Sequence, residues 1–135
     1  MAGAILDRLE GAGRPPLIGI NGCQGSGKST LAKFLALLLH EAAGTRCPEL
    51  SIDDLYHTRA TREAMGREIH PLLATRGVPG THDLALGNAV LDALLDPGRE
   101  GGVAIPRFAK SVDDRAPRDA WSRWQGPADA VIFEG

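Results

Sequence analysis

The residues from Leu17 to Leu31 read LIGINGCQGSGKSTL, and their pattern decides the fold. Gly22, Gly27, Lys28 and Ser29 match the spacing G-x-x-x-x-G-K-[ST], and the apolar run LIGI comes directly before them. This order is typical of a buried strand, a phosphate-binding loop and a helix. Glycines allow the backbone N–H groups to converge on a polyphosphate, and the positive end of the helix faces the same anion.

The side chains of this loop have expected roles of their own. Lys28 is expected to reach the β- and γ-phosphates, and the Ser29 hydroxyl is expected to ligate Mg²⁺. A glycine-rich turn that binds nothing is the alternative. The strand, the Lys-Ser pair and the helix together disfavour that alternative.

Composition limits the class of protein. A chain of 135 residues predicts a single domain, residues 1–135, and a net charge of −2 without a dense basic run gives no reason to expect a nucleic-acid partner. No apolar stretch approaches the roughly 20 residues that span a bilayer, so no membrane association is expected and the predicted location is cytoplasmic. Cys23 and Cys47 have no metal-site spacing, and a disulfide at Cys23 would distort the loop. The oligomeric state is left open.

Periodicity predicts alternating helices and strands. The expected helices are Ala2 to Glu10, Ser29 to Ala43, Thr61 to Ile69 and Asp83 to Leu95, and the expected strands are Leu17 to Ile20, Glu49 to Ile52, Val103 to Ile105 and Ala130 to Phe133. Gly44 is the expected end of the second helix. Residues 107–127 are expected to form a long polar loop. Because the last strand reads as a buried central strand, the chain is expected to be truncated at its C-terminus.

Carboxylates follow two of the predicted strands. Asp53 and Asp54 are expected at the carboxyl end of the second strand, the same edge as the phosphate loop. Either one is a candidate base for a phosphoryl transfer, and only one is expected to face the reaction because neighbouring strand residues face opposite ways. Glu134 follows the last strand and is a candidate ligand of the metal or its waters, with an ordinary surface glutamate as the alternative.

Further polar candidates lie in the loops. Thr81 or Asp83 is expected to cap the fourth helix, and on the residues alone a structural cap is the favoured interpretation of His82 and Asp83. Arg107, Lys110 and Arg115 are candidates for clamping substrate or phosphate, and a solvated loop face explains them nearly as well.

Four more motifs accompany the GCQGSGKST loop in a fixed order: SIDDLY (51–56), RGVPGTHD (76–83), IPRFAKS (105–111) and VIFEG (131–135). With them the chain, from Leu17 to its last residue, resembles the P-loop small-molecule kinases typified by plant-type D-glycerate 3-kinase and its yeast and bacterial relatives. These belong to the phosphoribulokinase, uridine kinase and pantothenate kinase superfamily. The resemblance implies an α/β, three-layer P-loop nucleoside-triphosphate hydrolase fold with a mainly parallel sheet. It also implies ATP-dependent transfer of the γ-phosphoryl group to a hydroxyl of a small, glycerate-like metabolite.

The resemblance also assigns roles to single residues. The ATP-binding residues would be Gly22, Cys23, Gln24, Gly25, Ser26, Gly27, Lys28, Ser29 and Thr30. Asp53 and Lys28 would be catalytic, with Asp53 as the base, and Ser29, Asp53 and Glu134 would lie at the Mg²⁺. The acceptor would meet Tyr56, His82, Asp83, Arg107 and Lys110.

The chain departs from the family pattern in places. Leu55 stands where the relatives usually have Phe, and Phe108-Ala109-Lys110 replaces a more usual Tyr-Asp-Lys, which affects the acceptor pocket. Relatives also continue beyond the final Glu-Gly pair into a lid. Nucleotide binding without turnover is therefore an alternative function, as is a kinase for a nucleoside, pantothenate or a sugar phosphate. A GTPase or motor protein is disfavoured because no D-x-x-G follows the second strand and no N-K-x-D occurs.

Overall fold

The computed structural model describes residues 1–9 and 13–135. Its helices are α1 (Ala2–Leu9), α2 (Lys28–Ala43), α3 (Arg59–Glu68) and α4 (Leu84–Leu94). Its strands are β1 (Leu17–Ile20), β2 (Glu49–Ser51), β3 (Gly102–Ile105), β4 (Phe108–Ala109), β5 (Asp114–Arg115), β6 (Ser122–Gln125) and β7 (Val131–Glu134). The predicted end of the first helix, Glu10, lies outside the described residues.

The central sheet is parallel and has the strand order β1-β7-β2. Its register sets Ile20 and Ser51 on either side of Glu134, so the three strands end side by side. Ligands of open parallel sheets bind beyond these carboxyl ends. The sheet therefore brings the segments that follow β1, β2 and β7 to one edge, as the sequence predicts.

Helices cover both faces of this sheet, and β7 shows why. Its side chains alternate: Ile132 packs with Leu35 and Leu39 of α2, whereas Val131 packs with Val90 and Leu94 of α4. This period of two is the one that a strand buried on both faces requires. Partly buried side chains of α1 join the α2 layer. The predicted three-layer α/β fold is confirmed.

Helix ends follow local sequence rules. Gly44 ends α2 in the left-handed conformation with φ of 66°, and its N–H donates to the His40 carbonyl at 2.7 Å, as predicted. Of the two caps considered for α4, Asp83 is the one that acts, because its carboxylate accepts the Leu86 amide at 3.0 Å. No helix among the described residues is long and apolar enough to cross a membrane.

Two predictions about the strands are wrong. The second strand ends at Ser51, whose hydroxyl accepts the Asp53 amide at 3.3 Å and starts a 3₁₀ turn over Ile52–Leu55. Asp53 and Asp54 therefore leave the sheet on a turn, and the strand alternation used to separate them does not apply. Residues 107–127 are also not one long loop, because β4, β5 and β6 all lie there. The β3 strand pairs antiparallel with β6 instead of extending the parallel sheet.

Candidate active site

The phosphate loop, residues 22–30, has the backbone of an anion cradle. Gly25 and Gly27 have φ of 78° and 83°, which residues with a side chain rarely adopt. A Cβ on Gly22 would stand 2.8 Å from the Ser26 hydroxyl, so a larger residue there would displace the Ser26 side chain. Lys28 donates to the carbonyls of Gly22 at 2.8 Å and Cys23 at 3.1 Å, which holds its ammonium group against the loop. The first amides of α2 have no partner within the helix and are available to an anion.

The first turn of α2 meets the end of β7 through Ser29 and Glu134. The Ser29 hydroxyl donates to the Glu134 carboxylate at 3.0 Å, and Glu134 is only 8% exposed. Among the described residues, no three His, Cys, Asp or Glu side chains cluster as a metal site. Mg²⁺ in phosphoryl-transfer sites does not need such a cage, because it takes one or two carboxylates, waters and substrate phosphates. The oxygen donors of Ser29 and Glu134 therefore fit Mg²⁺.

Asp53 lies across the same cleft from the loop. The cleft has a volume of about 720 Å³, and Lys28, Ser29, Asp53 and Glu134 are among the residues that line it. Lys110 donates to Asp53 at 2.7 Å, and this hydrogen bond raises the pKa of Lys110. The structure thus brings together the four residues that the sequence predicts for phosphate, metal and base.

Asp54 has a different environment from Asp53. One carboxylate oxygen accepts the Phe108 amide at 2.8 Å and the other accepts Arg107 at 2.9 Å. Its side chain is 15% exposed, against 42% for Asp53. Asp54 therefore anchors β4 to the 3₁₀ turn. With Arg107 it lines a second cavity of about 470 Å³ beside the edge strand β2, which adjoins the phosphate cleft and shares Ser29, Asp53 and Glu134 with it. Neither Asp54 nor Arg107 lines the phosphate cleft itself.

The side chains of Tyr56 and His82 pack against each other beside the cleft. Their rings stack with centroids 4.3 Å apart, and their backbones form an isolated antiparallel bridge. Burial and the negative charge of Asp53 raise the pKa of Tyr56, whereas burial lowers the pKa of His82 and favours its neutral form. Tyr56 lines the cleft. His82 supports it from behind and does not line the cleft.

Asp83 is held by structural contacts. Besides the Leu86 amide, it accepts Arg115 at 3.0 Å, and His57 lies 3.9 Å away. Burial acts to raise the pKa of Asp83, but the Leu86 amide and Arg115 outweigh it and lower the pKa. Asp83 is not among the residues that line the cleft. Its contacts are those of the helix cap that the residues alone favour.

Arg76 is a site residue that sequence reasoning missed. It lines the phosphate cleft beside Gly77 and Tyr56. Its guanidinium donates to Asp113, a residue with φ of 54° that also accepts Arg62 at 3.1 Å. The available signal was its place as the first residue of the RGVPGTHD motif.

Relatives in sequence match most of this chain. An uncharacterized kinase of Schizosaccharomyces pombe is 38% identical over 130 residues, covering 91% of this chain and 46% of that protein. The chloroplastic D-glycerate 3-kinase of Arabidopsis thaliana is 38% identical over 130 residues, covering 90% of this chain and 28% of that protein. The chain thus spans about half, or less, of the length of these relatives. No family model matches it.

Solved structures agree in fold. The D-glycerate 3-kinase of Cryptococcus neoformans superposes with a TM-score of 0.80 at 31% identity, over 99% of this chain and 50% of that one. The chain has the fold of the P-loop kinases. A possible uridine kinase from Bacillus stearothermophilus has a TM-score of 0.65 at 21% identity, over 98% of this chain and 71% of that one, and shows the fold alone. The resemblance to P-loop kinases of the glycerate kinase group is therefore confirmed.

Proposed function

We propose that this chain binds MgATP and supports transfer of the γ-phosphoryl group to a hydroxyl of a small metabolite. The observation that carries the proposal is the single cleft lined by Lys28, Ser29, Asp53 and Glu134. Positioning and charge stabilisation account for nearly all of enzymatic phosphoryl transfer. A cradle of amides, an ammonium group, a metal-type donor pair and a carboxylate are the groups that this chemistry needs.

Each group has one task in the proposed reaction. The loop amides and Lys28 hold the phosphate oxygens, and Ser29 with Glu134 would hold Mg²⁺, which supplies charge neutralisation on the β- and γ-phosphates. Asp53 accepts the proton of the acceptor hydroxyl while that oxygen bonds to the γ-phosphorus. The bond between the γ-phosphorus and the bridging oxygen breaks, and ADP leaves. Lys110, which donates to the Asp53 carboxylate at 2.7 Å, holds that carboxylate in place for this step.

Two relatives named D-glycerate 3-kinase support a glycerate-like acceptor. The test is ADP release from MgATP, measured with a panel of hydroxy acids, nucleosides and pantothenate. A rate of ADP release that rises when an acceptor is added supports the proposal, and a rate that is the same with and without every acceptor contradicts it. Lys28→Ala should abolish both nucleotide binding and transfer, because the cation no longer offsets the phosphate charge.

Nucleotide binding without transfer is the second candidate function. It requires only the phosphate loop with Lys28, Ser29 and Glu134, and not the base Asp53. Calorimetry with ATP and Mg²⁺ separates the two functions, since binding without any acceptor-dependent ADP release supports this one alone.

A further inference from the structure

Arg76 presents a guanidinium group that is fixed yet open to the cleft. Its side chain is 36% exposed, one nitrogen donates to Asp113, and its guanidinium carbon lies 5.7 Å from the centre of the Phe108 ring. These contacts hold the planar group on one side. Among residues 1–9 and 13–135, Asp113 is the one hydrogen-bond partner of this guanidinium group, so its other nitrogens are available to the cleft that Arg76 lines.

The charges around Arg76 do not cancel. Its partner Asp113 is shared with Arg62, which is fully buried, so two guanidinium groups face one carboxylate. Lys110, which lines the same cleft, is paired with Asp53. Arg76 and Lys110 each act to lower the pKa of the Tyr56 hydroxyl, against the larger effects of burial and Asp53. Arg76, Lys110 and Tyr56 all line this cleft, so two cations share its wall with the Tyr56 hydroxyl.

There is also space for a ligand group at this point. Gly77 follows Arg76 with φ of 93°, and a Cβ placed there would lie in ordinary contact distance, 3.8 Å, from the Tyr56 hydroxyl. Arg76, Gly77 and Tyr56 all line the cleft, so the open volume of the cleft adjoins the Arg76 guanidinium group. Arg binds carboxylates through two parallel N–H groups, which Lys cannot do.

We propose that Arg76 is the residue that binds the carboxylate of the phosphoryl acceptor and so discriminates hydroxy acids from their neutral analogues. This inference rests on the proposed kinase function, because it assigns the acceptor end of the same cleft. Arg76 sets acceptor specificity, and the phosphate loop and Asp53 carry out the transfer.

The experiment compares D-glycerate with its neutral amide, glyceramide, as acceptors for the chain and for Arg76→Gln. At saturating MgATP, the KM for D-glycerate should rise about tenfold to a hundredfold in Arg76→Gln, the range for losing hydrogen bonds to a charged group. The KM for ATP should stay unchanged. Glyceramide should be a poor acceptor for both proteins, with no further loss in the variant.

Two further variants control for folding and charge. Arg99→Gln removes an exposed arginine outside the cleft and should leave both KM values unchanged. Arg76→Lys keeps a cation beside Asp113 but lacks the planar fork, so its KM for D-glycerate should lie between those of the chain and Arg76→Gln. An unchanged KM in both Arg76 variants overturns the inference.

Failure of the inference and failure of the kinase function give different results. Efficient transfer to nucleosides, with none to carboxylates, leaves the kinase function intact and overturns the role of Arg76. If no acceptor is phosphorylated, the kinase function fails, and calorimetry of D-glycerate with a non-hydrolysable ATP analogue and Mg²⁺ still tests Arg76. Weaker D-glycerate binding in Arg76→Gln then supports the inference, and equal or undetectable binding in both proteins overturns it.

Discussion

Arg62 is the fully buried charge that joins three segments around the acceptor end of the cleft. From α3 it donates to the carbonyls of His57 at 3.2 Å, Ala74 at 3.0 Å and Asp113 at 2.6 Å. Arg62→Met fills similar space but leaves these three carbonyls without that donor. At about 1 kcal/mol for each net hydrogen bond, the free energy of unfolding should fall by about 3 kcal/mol. The Asp113 carboxylate adds little to this cost, since it is 43% exposed and keeps Arg76 as a partner.

Urea and thermal unfolding, followed by circular dichroism, measure this loss. A fall of about 3 kcal/mol corresponds to a melting temperature lower by roughly 10 °C in a domain of this size. Arg67→Met is the matched control, because Arg67 is exposed on the same helix and its substitution should change stability by less than about 0.5 kcal/mol. A loss of less than about 1 kcal/mol in the free energy of unfolding of Arg62→Met would refute the reasoning. It would mean that water can hydrogen-bond the three carbonyls in place of Arg62 with little loss of stability.

Three other outcomes are expected. Iodoacetamide should label the exposed Cys23 and spare Cys47, whose pKa burial raises to about 11, and MgATP should slow labelling of Cys23; mass spectrometry of tryptic peptides measures both. Folding lowers the pKa of Asp83, so its carboxylate stabilises the fold above the unfolded pKa near 4, and this stability is lost at lower pH. Between about pH 5 and 2, the urea midpoint of Asp83→Asn should therefore fall less than that of the unsubstituted chain. Asp53→Asn should retain ATP affinity and lose transfer, whereas Asp54→Asn should retain transfer and lose roughly 1–2 kcal/mol of stability. Calorimetry measures the ATP affinity, ADP release measures transfer, and urea unfolding measures stability. The reverse pattern would contradict the assignment of Asp53 as the base.

Asp53 and Asp54 show where sequence reasoning reached its limit. The sequence places both at the correct edge of the sheet, because a strand end is a local property. It does not separate them, since the Ser51 hydroxyl begins a 3₁₀ turn and removes the alternation of a strand. Their different environments depend on partners more than fifty residues later, Arg107 and Lys110.

The prediction of one long loop over residues 107–127 is wrong for a related reason. Strands β4 and β5 have only two residues each, too few for a period to be read, although they pair with each other in a hairpin. Strand β6 pairs with β3, which lies on the far side of that hairpin in sequence. The role of Arg62 gave no signal in the sequence, and that of Arg76 gave only its place in the RGVPGTHD motif, because an arginine in a polar helix or loop looks solvated until its carbonyl and carboxylate partners are known.

The sequence by itself determined the phosphate loop, its flanking strand and helix, and the layered α/β fold, since the glycine spacing and the apolar periods are local. Only the tertiary structure decided that Ser29 meets Glu134, that Lys110 faces Asp53, and that Arg76 opens into the same cleft. Those contacts join residues brought together by a parallel sheet and its crossovers. The physical reason is that the energy of a hydrogen bond or ion pair depends on distance in space, which spacing along the chain does not specify.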